Sequence, residues 1–186
     1  MATRPRSNLT VEQYLEAYRG APGRYELVDG EVVKMAAETV LHVRIKGRVF
    51  RALADSIEQK SLNCEAFQDG ISIKISTKTA REPDVSVQCR EVPSDTSLLL
   101  TNPVIVVEVV SPSSTRTDEH EKLAEYFSIP SIMHYLVVWP RQRYCYHHKR
   151  IDDNKVLTTI VRSGAIEFDP PGFSISFESI FGEVDR

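Results

Sequence analysis

Glu108 lies within Val104-Ile105-Val106-Val107-Glu108-Val109-Val110, the most apolar stretch of the chain. An unpaired carboxylate in such company carries a heavy desolvation cost until it takes up a proton or meets a cation. Glu108 therefore calls for a metal ion or a Lys/Arg beside it. Asp84 follows Pro83 at the start of a second, alternating stretch, Pro83-Asp84-Val85-Ser86-Val87-Gln88-Cys89. Alone, a Pro-Asp pair reads as a turn. With Glu108 it gives two hydrophobic segments carrying one acid each, and if those segments are neighbouring strands the two carboxylates converge. Two hard oxygen ligands completed by water suit Mg2+, with Mn2+ as a substitute. Lys122 stands one turn before Tyr126 and next to Leu123 on an expected helix, so its amine can edge the buried face and reach the sheet; a lone lysine there otherwise snorkels to solvent.

Other candidates are weaker. Glu26 and Glu31 flank Asp29-Gly30, and either could add an acid to the same place. His42, early in the longest helix, reads as a capped or solvated histidine. His147-His148 are adjacent in an expected strand, so they point to opposite faces and make a poor shared metal site. H-x-x-x-H, G-x-S-x-G, P-loop and G-x-G-x-x-G patterns do not occur, which argues against zincins, common serine hydrolases, NTPases and dinucleotide enzymes.

The elements that would position these residues follow from periodicity. Thr10-x-x-Gln13 fits a capping box for a helix to about Arg19. Asp29-Gly30 between two β-prone runs signals a hairpin. From Glu38 to Gln59 the apolar period is helical, with Leu41, Ile45, Val49, Leu53 and Ile57 on one stripe and Arg44, Lys46, Arg48 and Arg51 assigned to the other face. Asn63–Phe67 and Ile71–Ile75 read as strands turning at Asp69-Gly70. Pro83–Cys89 and Val104–Val110 follow as strands, the second covered on both faces. A helix from Thr117 or Asp118 to about Ser128 starts at an Asp118-x-x-Glu121 box and stops before Pro130. Tyr135–Trp139 and Arg143–His148 are a strand pair, Trp139 reading as buried. Val156–Val161 and Phe173–Phe177 are short strands, and Glu178–Phe181 a last helical turn. The order predicts an α/β (α+β) fold, a mixed sheet with helices packed on it.

The 186 residues suit one domain, 1–186, with a core over about 24–150 and the strands of 151–186 as an extension. A hydrophobic share of 41% with 26% charged residues excludes a disordered chain. The net charge of −3 excludes a globally basic nucleic-acid binder, so such contact needs a local patch. Three widely spaced cysteines, Cys64, Cys89 and Cys145, suggest free thiols in a reducing compartment. The start of the chain lacks a signal-peptide pattern, and no apolar run approaches a membrane span. A cytoplasmic protein is the expectation.

Taken in order, Arg24-Tyr25-Glu26-Leu27-Val28-Asp29-Gly30-Glu31, Pro83-Asp84, Val107-Glu108-Val109-Val110-Ser111-Pro112-Ser113, Asp118-x-x-x-Lys122-Leu123-x-x-Tyr126 and Tyr135-Leu136-Val137-Val138 resemble the Uma-type restriction endonuclease family. That family is a branch of the PD-(D/E)XK nuclease superfamily, and the resemblance runs from about Leu9 to Arg150. It implies a restriction-endonuclease-like central mixed β-sheet flanked by helices, with an N-terminal helix and hairpin. It also implies a metal-dependent phosphodiesterase site acting on DNA. Asp84 matches the superfamily's aspartate and Glu108 its glutamate, the two metal ligands. Two positions after Glu108 stands Val110 instead of the usual lysine, and Lys122, from the following helix, matches the lysine of the Uma-type branch. Glu26 would be a further acid that tunes the metal or positions water. Arg44, Lys46, Arg48, Arg51, Arg141 and Arg143 could meet phosphates, although a cationic helix face usually serves only solvation. A homodimer is expected by analogy with nucleases that cut both strands. The competing readings are a non-catalytic nucleic-acid-binding relative that keeps the fold, and a dimeric interaction module.

Overall fold

Where the apolar period switches from two to 3.6 and back, the chain changes element. The computed structural model describes residues 8–91, 93–111 and 116–182, with the backbone alone for 116–119. The elements run α1 (Val11–Tyr18), β1 (Tyr25–Val28), β2 (Glu31–Lys34), α2 (Val40–Gln59), β3 (Cys64–Gln68), β4 (Ser72–Lys74), β5 (Ala80–Arg81), β6 (Val85–Cys89), β7 (Leu99–Leu100) and β8 (Pro103–Val109). They continue with α3 (Arg116–Phe127), β9 (His134–Trp139), β10 (Tyr144–Asp152), β11 (Lys155–Val161), β12 (Ala165–Phe168), β13 (Phe173–Ser176) and α4 (Phe177–Phe181).

The expected α+β architecture with mixed sheets and flanking helices is present, but the strands divide among three sheets. A six-stranded sheet has the order β11-β10-β9-β8-β6-β3, parallel only at β8–β9. A five-stranded sheet has the order β2-β1-β5-β4-β7, and β12-β13 pair alone. The Asp69-Gly70 turn therefore does not close a hairpin: β3 pairs with β6 while β4 pairs with β5 and β7, so the chain changes sheet there. Two amphipathic strands in succession satisfy the same alternation whether they pair with each other or with strands elsewhere, which is why local pattern could not separate the outcomes.

While the edge strand β11 of the six-stranded sheet is largely exposed, the central strands are buried on both faces. On one, Val85, Val87, Ile105, Val107, Val109, Leu136 and Val138 meet the α2 stripe, together with Phe168, Phe173 and Ile180 of the C-terminal elements. On the other, Val106, Tyr135 and Val137 pack with Tyr126 of α3 and with Ile73 and Leu100 of the five-stranded sheet. A third cluster joins Val11 and Tyr14 of α1 to Leu27 and Ala80.

Local signals hold at many boundaries. Thr10 and Gln13 form the capping box of α1, and α2 opens at Val40 with Thr39 as its cap. The β1–β2 hairpin turns on Asp29 (φ 49°) and Gly30 (φ 81°), the left-handed pair that a two-residue turn demands. The expected Asp118 box at α3 lies outside the described side chains. At the C-terminus Phe177 opens α4 rather than ending β13, because Ser176 caps the helix by accepting from the Ser179 amide at 3.0 Å.

Two further sequence expectations are corrected. Cys64 and Cys89 are not free thiols; they are cross-strand partners in β3 and β6 and form a disulfide, leaving Cys145 as the free cysteine. The register that brings them face to face joins residues 25 positions apart in sequence and carries no local signature. Lys46 does not belong to a solvated cationic face: it is buried on α2, whereas Arg44 and Arg51 are exposed. No helix among the described residues is long and apolar enough to cross a membrane.

His147 and His148 point to opposite faces, as strand geometry requires. His147 stacks on His134 and touches Phe168, while His148 stacks on Tyr135. The neutral tautomers are set by the carbonyl of Pro170: His134 Nε2–H donates to it at 2.9 Å, so His134 Nδ1 accepts from His147 Nε2–H at 3.0 Å. Burial holds His134 down at about 3 and His147 at about 4, against an ordinary 6.5. The unfolded chain takes up these protons first, so stability is full above pH 6.5 and falls as the pH drops toward 4. We expect the His134→Gln/His147→Gln double variant to lose on the order of 1 kcal/mol of that acid sensitivity per pH unit, read from urea midpoints between pH 7.5 and 4.5. Parallel pH profiles for variant and wild type would contradict buried neutral histidines.

Candidate active site

The pairing of β6 with β8 places Val85 opposite Val107 in antiparallel register. Continuing it by one residue brings Asp84 alongside Glu108, and the Val109 amide donates to Asp84 Oδ2 at 2.7 Å. The two acids, one just before β6 and one near the end of β8, thus share one end of the sheet. Glu108 projects to the α3 side, where Lys122 Nζ donates to its Oε1 at 3.0 Å and the Tyr126 hydroxyl to the same atom at 2.7 Å. Residues 122 and 126 lie one helical turn apart, so one face of α3 delivers both donors.

The helix is held in place from its far end. Arg150 of β10 donates to the carbonyls of Phe127, Ile129 and Ile132 at 2.8, 3.0 and 2.9 Å, with its guanidinium over the Phe127 ring. These carbonyls at and beyond the helix end would otherwise lack intrahelical partners, and a cation there complements the helix dipole.

Glu26, the hairpin acid, is buried and joins the same group. Lys122 Nζ lies 3.5 Å from its Oε1, Arg81 donates to its Oε2 at 3.1 Å, and the Glu82 amide donates to its Oε1 at 3.2 Å. Arg81 turns its other edge to Glu125 of α3 in a two-pronged pair at 2.7 and 2.9 Å. Glu31, on the other side of the turn, is exposed.

Behind Asp84 lies a second charge group that periodicity did not reveal. His42 is buried, and its Nε2–H donates to Asp84 Oδ1 at 3.2 Å; it is neither a cap nor solvated. Lys46 Nζ donates to both oxygens of Glu38 and to Asp69 Oδ2 at 2.7–2.8 Å. Arg24 bonds Glu38 and Glu82 and lies 3.1 Å from Asp69 and 3.9 Å from Asp84. Ligand atoms of Glu38, His42 and Asp84 all fall within 4.8 Å of one another, a spacing that could hold a metal ion. Among the described residues the connected groups contain Glu26, Glu38, Asp69, Glu82, Asp84, Glu108 and Glu125 against Arg24, Lys46, Arg81 and Lys122. Carboxylates outnumber permanent cations, so the donor set suits a divalent cation.

Electrostatics separate the two central acids. Burial pushes Glu108 up to about 7; Lys122 opposes this, and the charges of Asp84 and Glu26 reinforce it. Asp84 is also pushed up by burial, but the His42 bond, the Val109 amide and the Lys46 charge together hold it below the usual carboxylate range. One acid is thus kept ionised while its neighbour titrates near neutrality.

Of the four residues singled out from sequence, the geometry joins Glu108, Lys122 and Glu26 by direct contacts and sets Asp84 at the same strand end, its side chain held by His42 and the Val109 amide. Sequence reasoning missed Arg24, Glu38, Asp69, Arg81, Glu82 and Glu125, and it misassigned His42 and Lys46. One signal was available: Glu38, His42 and Lys46 recur at helical spacing beside the Leu41/Ile45/Val49 stripe, a charged row at the margin of a buried face.

Comparison with known proteins gives the family and the fold. The sequence pattern of the Uma2 family, described as "Putative restriction endonuclease", matches residues 11–179. This chain belongs to the Uma2 family. Two relatives from Synechocystis sp. (strain ATCC 27184 / PCC 6803 / Kazusa) are uncharacterized proteins, sll1609 and slr1290. The first is 27% identical over 157 residues, spanning 81% of this chain and 86% of the relative. The second is 26% identical over 179 residues, spanning 95% and 93%. Among solved structures, a "putative nuclease belonging to DUF820" from Anabaena variabilis ATCC 29413 superposes with a TM-score of 0.71 at 14% identity, covering 93% of this chain and 97% of that one. The Uma2 chain therefore has the restriction-endonuclease-like fold that the resemblance implied.

The elevated Glu108 makes a stability prediction for this Uma2 protein. The folded state keeps the Glu108 proton to about pH 7, whereas the ordinary value is 4.5. Folding thus binds a proton between these values, and the associated stability, full below 4.5, is lost as the pH rises through 7. In chelator-containing buffer Glu108→Gln should gain on wild type by on the order of 1–2 kcal/mol between pH 4.5 and 7.5, measured by urea unfolding. A pH-independent difference would mean that Glu108 ionises normally.

Proposed function

We propose that this Uma2 chain is a metal-dependent endonuclease that hydrolyses phosphodiester bonds in DNA. The observation that carries the reading is that Asp84, just before β6, and Glu108 of β8 share one end of the sheet, with Lys122 Nζ of α3 3.0 Å from Glu108. Asp84 and Glu108 would hold Mg2+, or Mn2+ in its place. The excess of carboxylates supports a cation there, and Asp84 is common to this pair and to the Glu38–His42–Asp84 set. Mg2+ favours the all-oxygen pair, whereas the imidazole of His42 shifts preference toward softer transition ions. When bound, the ion polarises a phosphoryl oxygen and lowers the pKa of water.

The chain's own residues do the rest. Asp84, held ionised by His42 and the Val109 amide, presents a fixed negative charge. Tyr126 and Lys122 both grip Glu108 Oε1 and so orient its carboxylate. Lys122 would orient the attacking water or offset charge on the pentacoordinate phosphoryl transition state. Glu26, anchored by Arg81, keeps the amine beside Glu108. The proposal extends to a homodimer with one such centre per chain, acting in the cytoplasm. One observation favours a second reading, a non-catalytic DNA-binding relative: Lys122 already lies against two carboxylates, Glu26 and Glu108.

Mg2+ and Mn2+ titration calorimetry, run beside DNA cleavage assays, tests this. Wild type should bind the ion and cleave. Asp84→Asn and Glu108→Gln should weaken ion binding at least tenfold and cut cleavage at least a hundredfold. Lys122→Met should keep ion binding and lose cleavage. Salt-dependent DNA binding without cleavage would favour the second reading. Metal binding untouched by Glu108→Gln, with no cleavage by wild type, would refute the proposal.

A further inference from the structure

The α3-side face of the six-stranded sheet continues past Glu108 as an aromatic surface. Register places Glu108 beside Val137, Val137 beside Tyr146 and Tyr146 beside Ile160, one row crossing β8, β9, β10 and β11. Strands lie about 4.8 Å apart, so Tyr146 is only two strand spacings, roughly 10 Å, from Glu108. In the adjacent row Trp139 pairs with Tyr144. Their rings stack at 5.6 Å between centroids, Tyr144 and Tyr146 approach to 5.2 Å, and Arg162 lies over Tyr144 at 5.1 Å. Trp139, Tyr144 and Tyr146 are half-buried, and Ile160 is 56% exposed. Between this surface and Leu123 of α3 runs a groove of about 450 Å3, with His148 and Thr158 as polar groups at its wall. That volume is within the range of small-ligand sites, ~300–1,000 Å3.

We propose that this groove is a base-stacking subsite for unpaired nucleotides of DNA, so that the Glu108 centre acts where the strand is single or a base is turned out of its helix. The inference rests on the nuclease reading above and names its substrate class. Three observations select this occupant. Tyr144 stacks on Trp139 and carries Arg162 over its ring, whereas Tyr146 meets its aromatic neighbours only tilted or edge-on, so Tyr146 is the ring on which a base would stack. Arg162 supplies a cation at the margin, where a phosphate backbone would run. The row is continuous with Glu108, so a base stacked on Tyr146 belongs to a nucleotide close to the phosphate under attack. An uninterrupted duplex keeps its bases stacked on one another and offers no ring to the groove.

Trp139 is the only tryptophan in the chain, so its fluorescence reports on the groove directly. With Ca2+ replacing Mg2+, a mixed-sequence single strand of about 16 nucleotides should quench Trp139 and bind at least tenfold more tightly than the same strand annealed to its complement. Tyr146→Leu should weaken single-strand binding about tenfold, while Tyr146→Phe should retain it. Ile160→Glu, at an exposed position where folding is not at stake, should weaken it severalfold. Equal or tighter binding of the duplex, with Tyr146→Leu and Ile160→Glu unaltered, would overturn the subsite while leaving Glu108-dependent DNA cleavage intact. Variants that split a dimer without changing DNA affinity would assign the groove to a contact between two copies, and the subsite would fall. Binding of no DNA form, together with no cleavage, would remove both the subsite and the nuclease reading.

Discussion

A carboxylate on an interior strand is tolerable only if its charge is answered locally, and much of the architecture around Glu108 serves that end. The amine and hydroxyl that answer it come from one face of α3, one turn apart. Arg150 ties down the carbonyls at the other end of the same helix, so β10 sets where α3 lies and hence where Lys122 reaches. Glu26 and Arg81 extend the compensation into the five-stranded sheet. Removing one of these partners leaves a buried carboxylate with fewer donors, a penalty that can exceed the net worth of the pair itself.

The same constraint explains why the charged groups gather at one end of the six-stranded sheet. Asp84 precedes β6 and Glu108 is the penultimate residue of β8, so the antiparallel pairing brings these ends together. The opposite end of β6 carries Cys89 and its disulfide to Cys64 in β3. Between the two ends β8 and its neighbour β9 are apolar on both faces, a rigid support on which donors can be held with little freedom. The surplus of acids over cations is unfavourable for the isolated protein and favourable for a site that takes a divalent ion, a balance common at functional centres.

Legibility from sequence followed the range of the interaction. Capping at Thr10, the Asp29-Gly30 turn, the α2 stripe and the runs of β6 and β8 depend on near neighbours, and each matched its local pattern. Glu108 stood out because its surroundings in sequence are also its surroundings in space, a single acid in a β-branched strand. Lys46 and His42 did not, because helical position at the margin of an apolar stripe leaves two faces open, and the acids that draw them inward lie on other elements. The short strands β5 and β7 carry too few residues for a period to register, yet β5 supplies Arg81.

By itself, then, the order of residues determined the longer helices and strands, marked Asp84, Glu108 and Lys122 as candidates, and determined the family to which the chain belongs, since all of these are written in side-chain chemistry over short spans. Only the tertiary structure decided which strands share a sheet, that Cys64 meets Cys89, and which cation answers which carboxylate. Those outcomes depend on strand register and helix placement, and a shift of one residue in either would exchange the buried partners for solvent.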